Sequence, residues 1–185
     1  MERINVAGAG LAGLSAAIHL AQKGIKTNLI SVLPSERAQS VLAEGGINAA
    51  LDTMGEEDRI KYHFEDTMKG GVDLADPNAV YGLVSGAPEI VYWLKDLGAP
   101  FQMEGDRIIQ RNFGGQKKKR TAYAKSSTGK ILMSALIDEA RRLEAKGYIR
   151  RFKNHEITDV VIDVECKGLK IRNTYTGENL FCPGK

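Results

Sequence analysis

The sequence predicts an α/β fold in three layers, β/β/α, with a parallel sheet opened by a βαβ unit and an antiparallel meander laid across it. Three observations carry that reading. A short β-prone segment, residues 3–7, runs into a glycine-rich turn and then a helical pattern. A second β-prone segment, residues 27–31, follows that helix at once. Beyond residue 149 the chain alternates in strand fashion, with turn residues between the segments.

The glycine turn is the most informative of the three. Residues 6–14 read VAGAGLAGL, which sets Gly8, Gly10 and Gly13 at GxGxxG spacing, with Ala9, Leu11 and Ala12 between them. Such a turn lays the backbone N–H groups of a helix start against a pyrophosphate. The first glycine allows the tight turn, the second lets the phosphates approach, and the third lets helix and strand pack closely. Glycine-rich turns are common, so the spacing alone is weak. Its context is right: Leu14, Ala17, Ile18 and Ala21 share one helical face, and Lys23-Gly24 makes a stop.

The next stretch, residues 32–46, is long and irregular, rich in small and polar residues, and loops of that length are often functional. It ends in Gly45-Gly46, which permits close approach of backbone to a ligand, and Ile47 is read as the start of a helix. Helices are expected over residues 56–69, 78–85 and 88–97, with Pro88 in a first turn and Gly98 as a cap. A polar hairpin is expected around Gly105. Residues 128–146 form a helix whose stripe is Ile131, Leu132, Ala135, Leu136, Ala140 and Leu143. Strands are expected over residues 149–152, 157–164, 169–173 and 179–182, and turns at Lys167-Gly168 and Thr176-Gly177 make the last three a meander. This order is that of the FAD-type Rossmann domain. The sheet it builds is incomplete, because the closing residues FCPGK lead towards one more strand.

Composition narrows the partners. A net charge of +3 in 185 residues gives no argument for nucleic acid. No apolar run approaches the ~20 residues that span a bilayer, so direct membrane insertion is not expected. The glycine turn begins almost at once, without the apolar stretch of a signal peptide. Cys166 and Cys182 form neither a disulfide scaffold nor a metal site, and a cytoplasmic setting follows as the default.

Six further segments stand in order along the chain: LISVLPSERAQSVLAEGG, YHFEDTMKGG, LGAPF, RNFGG, RTAYA followed by STG, and FKNHEITDVVID. With the glycine turn they resemble the flavoprotein subunit of fumarate reductase and succinate dehydrogenase, and its relative L-aspartate oxidase, over essentially the whole chain. The resemblance implies that residues 1–185 are the N-terminal part of an FAD-binding domain whose capping and C-terminal parts lie beyond them. It implies FAD, with Gly8, Ala9, Gly10, Leu11, Ala12 and Gly13 on the pyrophosphate and Ser31 on the ribose. Arg37, Ala38, Gln39, Ser40, Ala43, Glu44, Gly45 and Gly46 would line the isoalloxazine and ribityl chain, and the backbone of Glu156 and Ile157 would recognise adenine. Gly46 and Phe101 would lie against a C4 dicarboxylate substrate. The implied reaction interconverts fumarate and succinate by hydride transfer through the flavin. The family's catalytic arginine and histidines match nothing here, so no catalytic residue is assigned. An iron–sulfur subunit is the implied partner in the respiratory members, which would make the protein peripheral to a membrane.

Two departures modify that picture. Where the membrane-anchored members carry a histidine bonded covalently to the flavin, this sequence has Gln39, so dissociable FAD is expected. That leans towards soluble fumarate reductases and L-aspartate oxidase, the runner-up activity. An acidic flavin contact of the family is Ser126 here. A third reading is a fragment that binds FAD weakly and turns over nothing. The meander argues against an NAD-binding domain.

The remaining candidates read as structural. The KKKR run, Lys117 to Arg120, is expected to be a solvated loop, with Arg120 alone built into the structure. His63 is expected to make an ordered hydrogen bond, and His155 lacks companions for a metal. Tyr92 and Trp93 are read as core. Glu44 is read as a hydrogen-bonding group.

Overall fold

The computed structural model describes residues 2–163 and 167–185. In chain order the elements are β1 (Ile4–Ala7), α1 (Leu11–Gln22), β2 (Thr27–Ser31), β3 (Ile47–Asn48), α2 (Ile60–Gly70), α3 (Pro77–Asp96), β4 (Met103–Glu104), β5 (Arg107–Ile108), β6 (Gln110–Arg111), β7 (Thr121–Ala122), α4 (Thr128–Ala145), β8 (Ile149–Lys153), β9 (His155–Ile162), β10 (Lys167–Asn173) and β11 (Asn179–Pro183). They fall into two compact units, residues 1–41 with 133–185, and residues 42–132.

The first unit holds the expected three layers. Its parallel sheet has the order β1-β2-β8. Four of the five residues of β2 are buried, as a central parallel strand covered on both faces should be. On one face α1 buries Leu14, Ala17, Ile18 and Ala21. On the other, Ile30 and Phe152 of the parallel strands form one core with Ile171 and Cys182 of the meander. The meander has the order β9-β10-β11, antiparallel throughout, with an irregularity at Lys170/Ile171. Lys185 lies along the free edge of β1: its N–H donates to Arg3 O and its carbonyl accepts from Asn5 N–H. Those two bonds flank Ile4 on one side, the pattern of a parallel partner.

The second unit is built on α2 and α3, a small antiparallel sheet β3-β7-β6 and the hairpin β4-β5. Asp76 caps α3 by accepting from Asn78 and Ala79 N–H, and Pro77 occupies its first turn. The buried amide of Gln110 donates to Ala49 O at 2.8 Å and Arg120 O at 2.7 Å, which ties β6 to the loop after β3.

Several sequence expectations are corrected. Ile47 starts a strand, because it pairs with Ala122. Residues 56–59 precede α2, with Glu57 at φ 57°. The two helices expected on either side of Pro88 are one, α3, with Pro88 inside it. Lys167 and Gly168 belong to β10 and not to a turn, and Cys166 lies outside the described residues. Tyr92 is exposed on α3 and Trp93 is half-buried, so neither anchors the core. The KKKR run is, as expected, a loop with Lys117 and Lys119 exposed and Arg120 buried; Lys117 pairs with Glu65 and Asp66, Lys119 with Glu56, and Lys118 donates to the Glu56 backbone carbonyl.

Candidate functional site

The glycine turn has the geometry its sequence demands. Gly8 sits at φ 94°, in the left-handed region. A Cβ on Gly13 would lie 1.8 Å from Gly8 O, so only glycine fits where α1 meets the turn. Gly10 is the N-cap of α1 and brings no side chain of its own to cap it; the first turn carries no acidic residue, and only its Leu11 N–H is met by a side chain, Ser40. Ala9 is buried beneath the turn. The helix therefore opens with backbone N–H groups and a positive dipole end turned to the surroundings, the arrangement that takes a diphosphate.

Ser40 closes over this turn. Its Oγ accepts from Leu11 N–H at 3.3 Å and would sit 3.2 Å from a Cβ on Gly10. Ser35 to Arg37 form a short 3-10 turn and Gln39 to Leu42 another, which folds the long loop back towards the glycines. Ala38 belongs to the same contact, 3.9 Å from the Gly10 position. Ser31 ends β2 and spends its hydroxyl proton on Leu33 O at 2.7 Å, leaving its oxygen free only to accept. Glu156 pairs with Arg172, and Ile157 lines a cavity of about 450 Å³ together with Ala7, Val160 and Leu169. The first unit thus brings the turn, Ala38 and Ser40 together, and sets Ile157 beside the end of β1.

In the second unit the segment from Ala43 to Gly46 is held by its carbonyls. Ala43 O accepts from Gly129 N–H at 2.6 Å, Glu44 O from Thr128 Oγ at 3.4 Å, and Gly45 O from Arg111 Nη2 at 2.9 Å. A peptide is planar and trans, so each N–H points away from the carbonyl of its own unit. Among the described residues, the N–H groups of Glu44, Gly45 and Gly46 donate to no backbone carbonyl. Three successive donors are left for a ligand. Packing requires glycine at 46, where φ is 126° and a Cβ would meet Thr121 Cγ2 at 2.5 Å and Ala122 O at 2.6 Å, whereas a Cβ on Gly45 would meet only the ring edge of the exposed Phe113, at 3.1 Å. Phe101 is 4% exposed, so its ring offers a ligand little surface.

Beside this segment lies a buried ionic cluster. Arg120 is fully buried and its Nη2 reaches Asp58 at 2.9 Å and Asp66 at 3.2 Å. Burial pushes the Asp58 carboxyl above the usual range, against the opposing charge of Arg120. His63 is buried and held down to a pKa of about 4, mainly by desolvation and then by Arg120, with Asp66 acting the other way. Its Nδ1 has no hydrogen-bond partner, contrary to the expectation of an ordered bond. No group of three or more His, Cys, Asp or Glu side chains placed to hold a metal occurs among the described residues. No helix among them is long and apolar enough to cross a membrane.

Sequence reasoning missed Arg111, Thr128 and Gly129 as supports of the diglycine. Their motifs, RNFGG and STG, were legible as landmarks, yet no pattern in the sequence says which loop they hold.

A profile of the FAD binding domain matches residues 4–182. The chain is 39% identical over 173 residues to the succinate dehydrogenase flavoprotein subunit of Bacillus subtilis, covering 92% of this chain and 30% of that protein. It is 32% identical over 177 residues to the 8-methylmenaquinol:fumarate reductase flavoprotein subunit of Wolinella succinogenes, covering 93% and 28%. Mycobacterium smegmatis Sdh1, solved in complex with UQ1, superposes with a TM-score of 0.93 at 29% identity, over 99% of this chain and 32% of that one. The chain therefore spans about 30% of the length of the relatives it matches.

Proposed function

The chain belongs to the FAD-binding domain family, and on that premise we propose that it holds FAD without a covalent bond, as the nucleotide-binding part of an oxidoreductase interconverting fumarate and succinate. The observation that supports this best is the start of α1. Gly13 is locked against Gly8 O, and the helix end behind Gly10, where Ser40 meets only the Leu11 N–H, offers its other N–H groups to a diphosphate. On this reading residues 8–13 hold the pyrophosphate, Ser31 accepts from a ribose hydroxyl, and Glu156 and Ile157 meet adenine through their backbone. Residues 37–40 and 43–46 line the ribityl chain and ring system, the latter through the N–H groups of Glu44, Gly45 and Gly46. Bound there, FAD supplies hydride chemistry; these residues bind and orient it. Gly46 borders the C4 dicarboxylate, while the buried Phe101 has little ring surface to offer it.

The attachment follows from Gln39. It occupies a 3-10 turn beside Ser40, and an amide side chain cannot form the histidyl bond to a flavin. No residue of this chain is assigned to proton transfer. The substrate follows the names of the relatives, and an iron–sulfur partner and a cytoplasmic place at the edge of a membrane follow the family resemblance of the sequence, all as part of the same proposal.

The experiment is a titration of the purified protein with FAD, followed by desalting and acid precipitation. Retained yellow colour that passes wholly into the acid supernatant is the expected result. Colour that stays with the precipitate overturns the non-covalent attachment, and no uptake at saturating FAD overturns the function. Turnover of succinate but not of aspartate by the longest natural form of the polypeptide is expected, and the reverse preference assigns the runner-up activity.

A further inference from the structure

Arg111 lies on the side of the diglycine opposite to its free N–H groups, and the surrounding side chains are arranged to keep it there. It sits in β6, in register with Thr121 of β7. Its guanidinium carbon is 4.3 Å from the ring centroid of Tyr123 and 6.0 Å from that of Phe113. These are the residues against which Gly46 and Gly45 pack. Arg111 Nη2 donates to Gly45 O at 2.9 Å, while its Nε is buried without an acceptor. A buried guanidinium donor left unmatched is costly, so the side chain is held by its one carbonyl bond and by two aromatic faces.

We propose that Arg111 is a positioning residue for the FAD site: it fixes and polarises the Gly45–Gly46 peptide, so that the Gly46 N–H is aimed as a strengthened donor at the flavin ring system. This rests on the reading that the chain binds FAD. The physical basis is the peptide itself. The carbonyl of Gly45 and the N–H of Gly46 belong to one planar trans unit, and they point in opposite directions. A cation on the oxygen draws charge through the amide and makes the hydrogen a better donor, the cooperative effect that couples hydrogen bonds in series. Charge-assisted bonds of this kind are the strong ones. Thr128 and Gly129 anchor the two preceding carbonyls in the same sense, but neither brings a charge. Arg111 is therefore the member of the three that sets how strongly the loop attracts electron density on its far side. Reduced flavin carries more negative charge at its ring than oxidised flavin, so a strengthened donor there holds the reduced form better.

The test compares the FAD-loaded protein with its Arg111→Met and Arg111→Lys variants. FAD affinity, the visible flavin absorption band and the flavin reduction potential are measured, and thermal melting of the FAD-free proteins serves as the folding control. The Met variant is expected to bind FAD roughly tenfold to a hundredfold more weakly, the range of a lost bond to a charged group. Its band should shift and its potential fall. The Lys variant keeps a charge and one donor, and should move in the same direction by less. An unchanged band and potential in the Met variant overturn the proposal. If the Met variant does not fold, the same unchanged values in the Lys variant overturn it. Failure of the unsubstituted protein to take up FAD overturns the functional reading and this inference with it. Normal uptake with an indifferent Met variant overturns this inference alone.

Discussion

The carbonyl oxygen of Gly8 fills the space that a side chain on Gly13 would need: a Cβ there would lie 1.8 Å from it and 2.8 Å from the carbonyl carbon. Backbone cannot swing aside as a flexible side chain can, so Gly13→Ala must push α1 off the end of β1. The expected cost is on the order of 3 kcal/mol or more, with loss of FAD uptake. Gly24 provides the contrast. It sits at φ 75° with nothing near its Cβ position, and Gly24→Ala should cost about 1–2 kcal/mol while FAD uptake persists. Denaturant midpoints and flavin retention for the pair check both halves.

Where a local pattern and its tertiary use coincide, the fold was readable. The apolar face of α1 and the buried run of β2 lie where periodicity placed them, and Gly177 in the last turn has the positive φ of 74° that its position suggested. Misreadings arose where a distant partner decided the outcome. Ile47 has no local reason to be extended; it is a strand because Ala122, far along the chain, pairs with it. Arg120 was set apart from its charge run as a structural residue, and it is fully buried, but spacing could not show that its partners are Asp58 and Asp66. At the candidate site the glycines were legible because their requirement is written in the backbone. Arg111, Thr128 and Gly129 were not, because a carbonyl bond made across tens of residues leaves no spacing to read.

Pro88 lies inside α3 and cannot donate to the carbonyl of Val84, one turn earlier. A proline at an interior position costs about 3 kcal/mol relative to alanine, partly offset by the stiffer unfolded chain, worth about 0.4–1 kcal/mol. Pro88→Ala should therefore raise the unfolding free energy by about 2 kcal/mol. A denaturant midpoint that stays put or falls would mean that the proline itself is needed to seat Val84 and Val91, both fully buried.

Arg120 spans two carboxylates from a site with no exposed surface, and its Nε and Nη1 have no partner. Removing it leaves Asp58 and Asp66 facing each other in the interior. Arg120→Met should cost about 3–5 kcal/mol, the range for one half of a buried pair left behind. Adding Asp58→Asn should restore a large part of that loss, because the carboxylate whose pKa burial already raises is then gone. A double-mutant cycle by chemical denaturation measures the coupling. Additive effects of the two substitutions would show that the pair carries no mutual stabilisation.

His63 makes stability depend on pH in a window set by its two pKa values. In the folded protein it titrates at about 4, against an ordinary value of 6.5 in the unfolded chain. Between these values the unfolded chain binds the extra proton, so stability is complete above about pH 6.5 and declines as pH falls towards 4. From pH 7.5 to pH 5 the loss should be about 2 kcal/mol. Two facing charges act in opposite directions: Arg120 favours the neutral ring and Asp66 the charged one. His63→Gln removes the titrating group and keeps a polar side chain, so its unfolding free energy should vary less over the same window. Equal slopes for the parent and His63→Gln between pH 7.5 and 5 would show that the ring is protonated alike in both states. The desolvation that sets its pKa would then be relieved by water entering between α2 and the Phe113–Gln116 turn, which line one small cavity of about 180 Å³ together with His63.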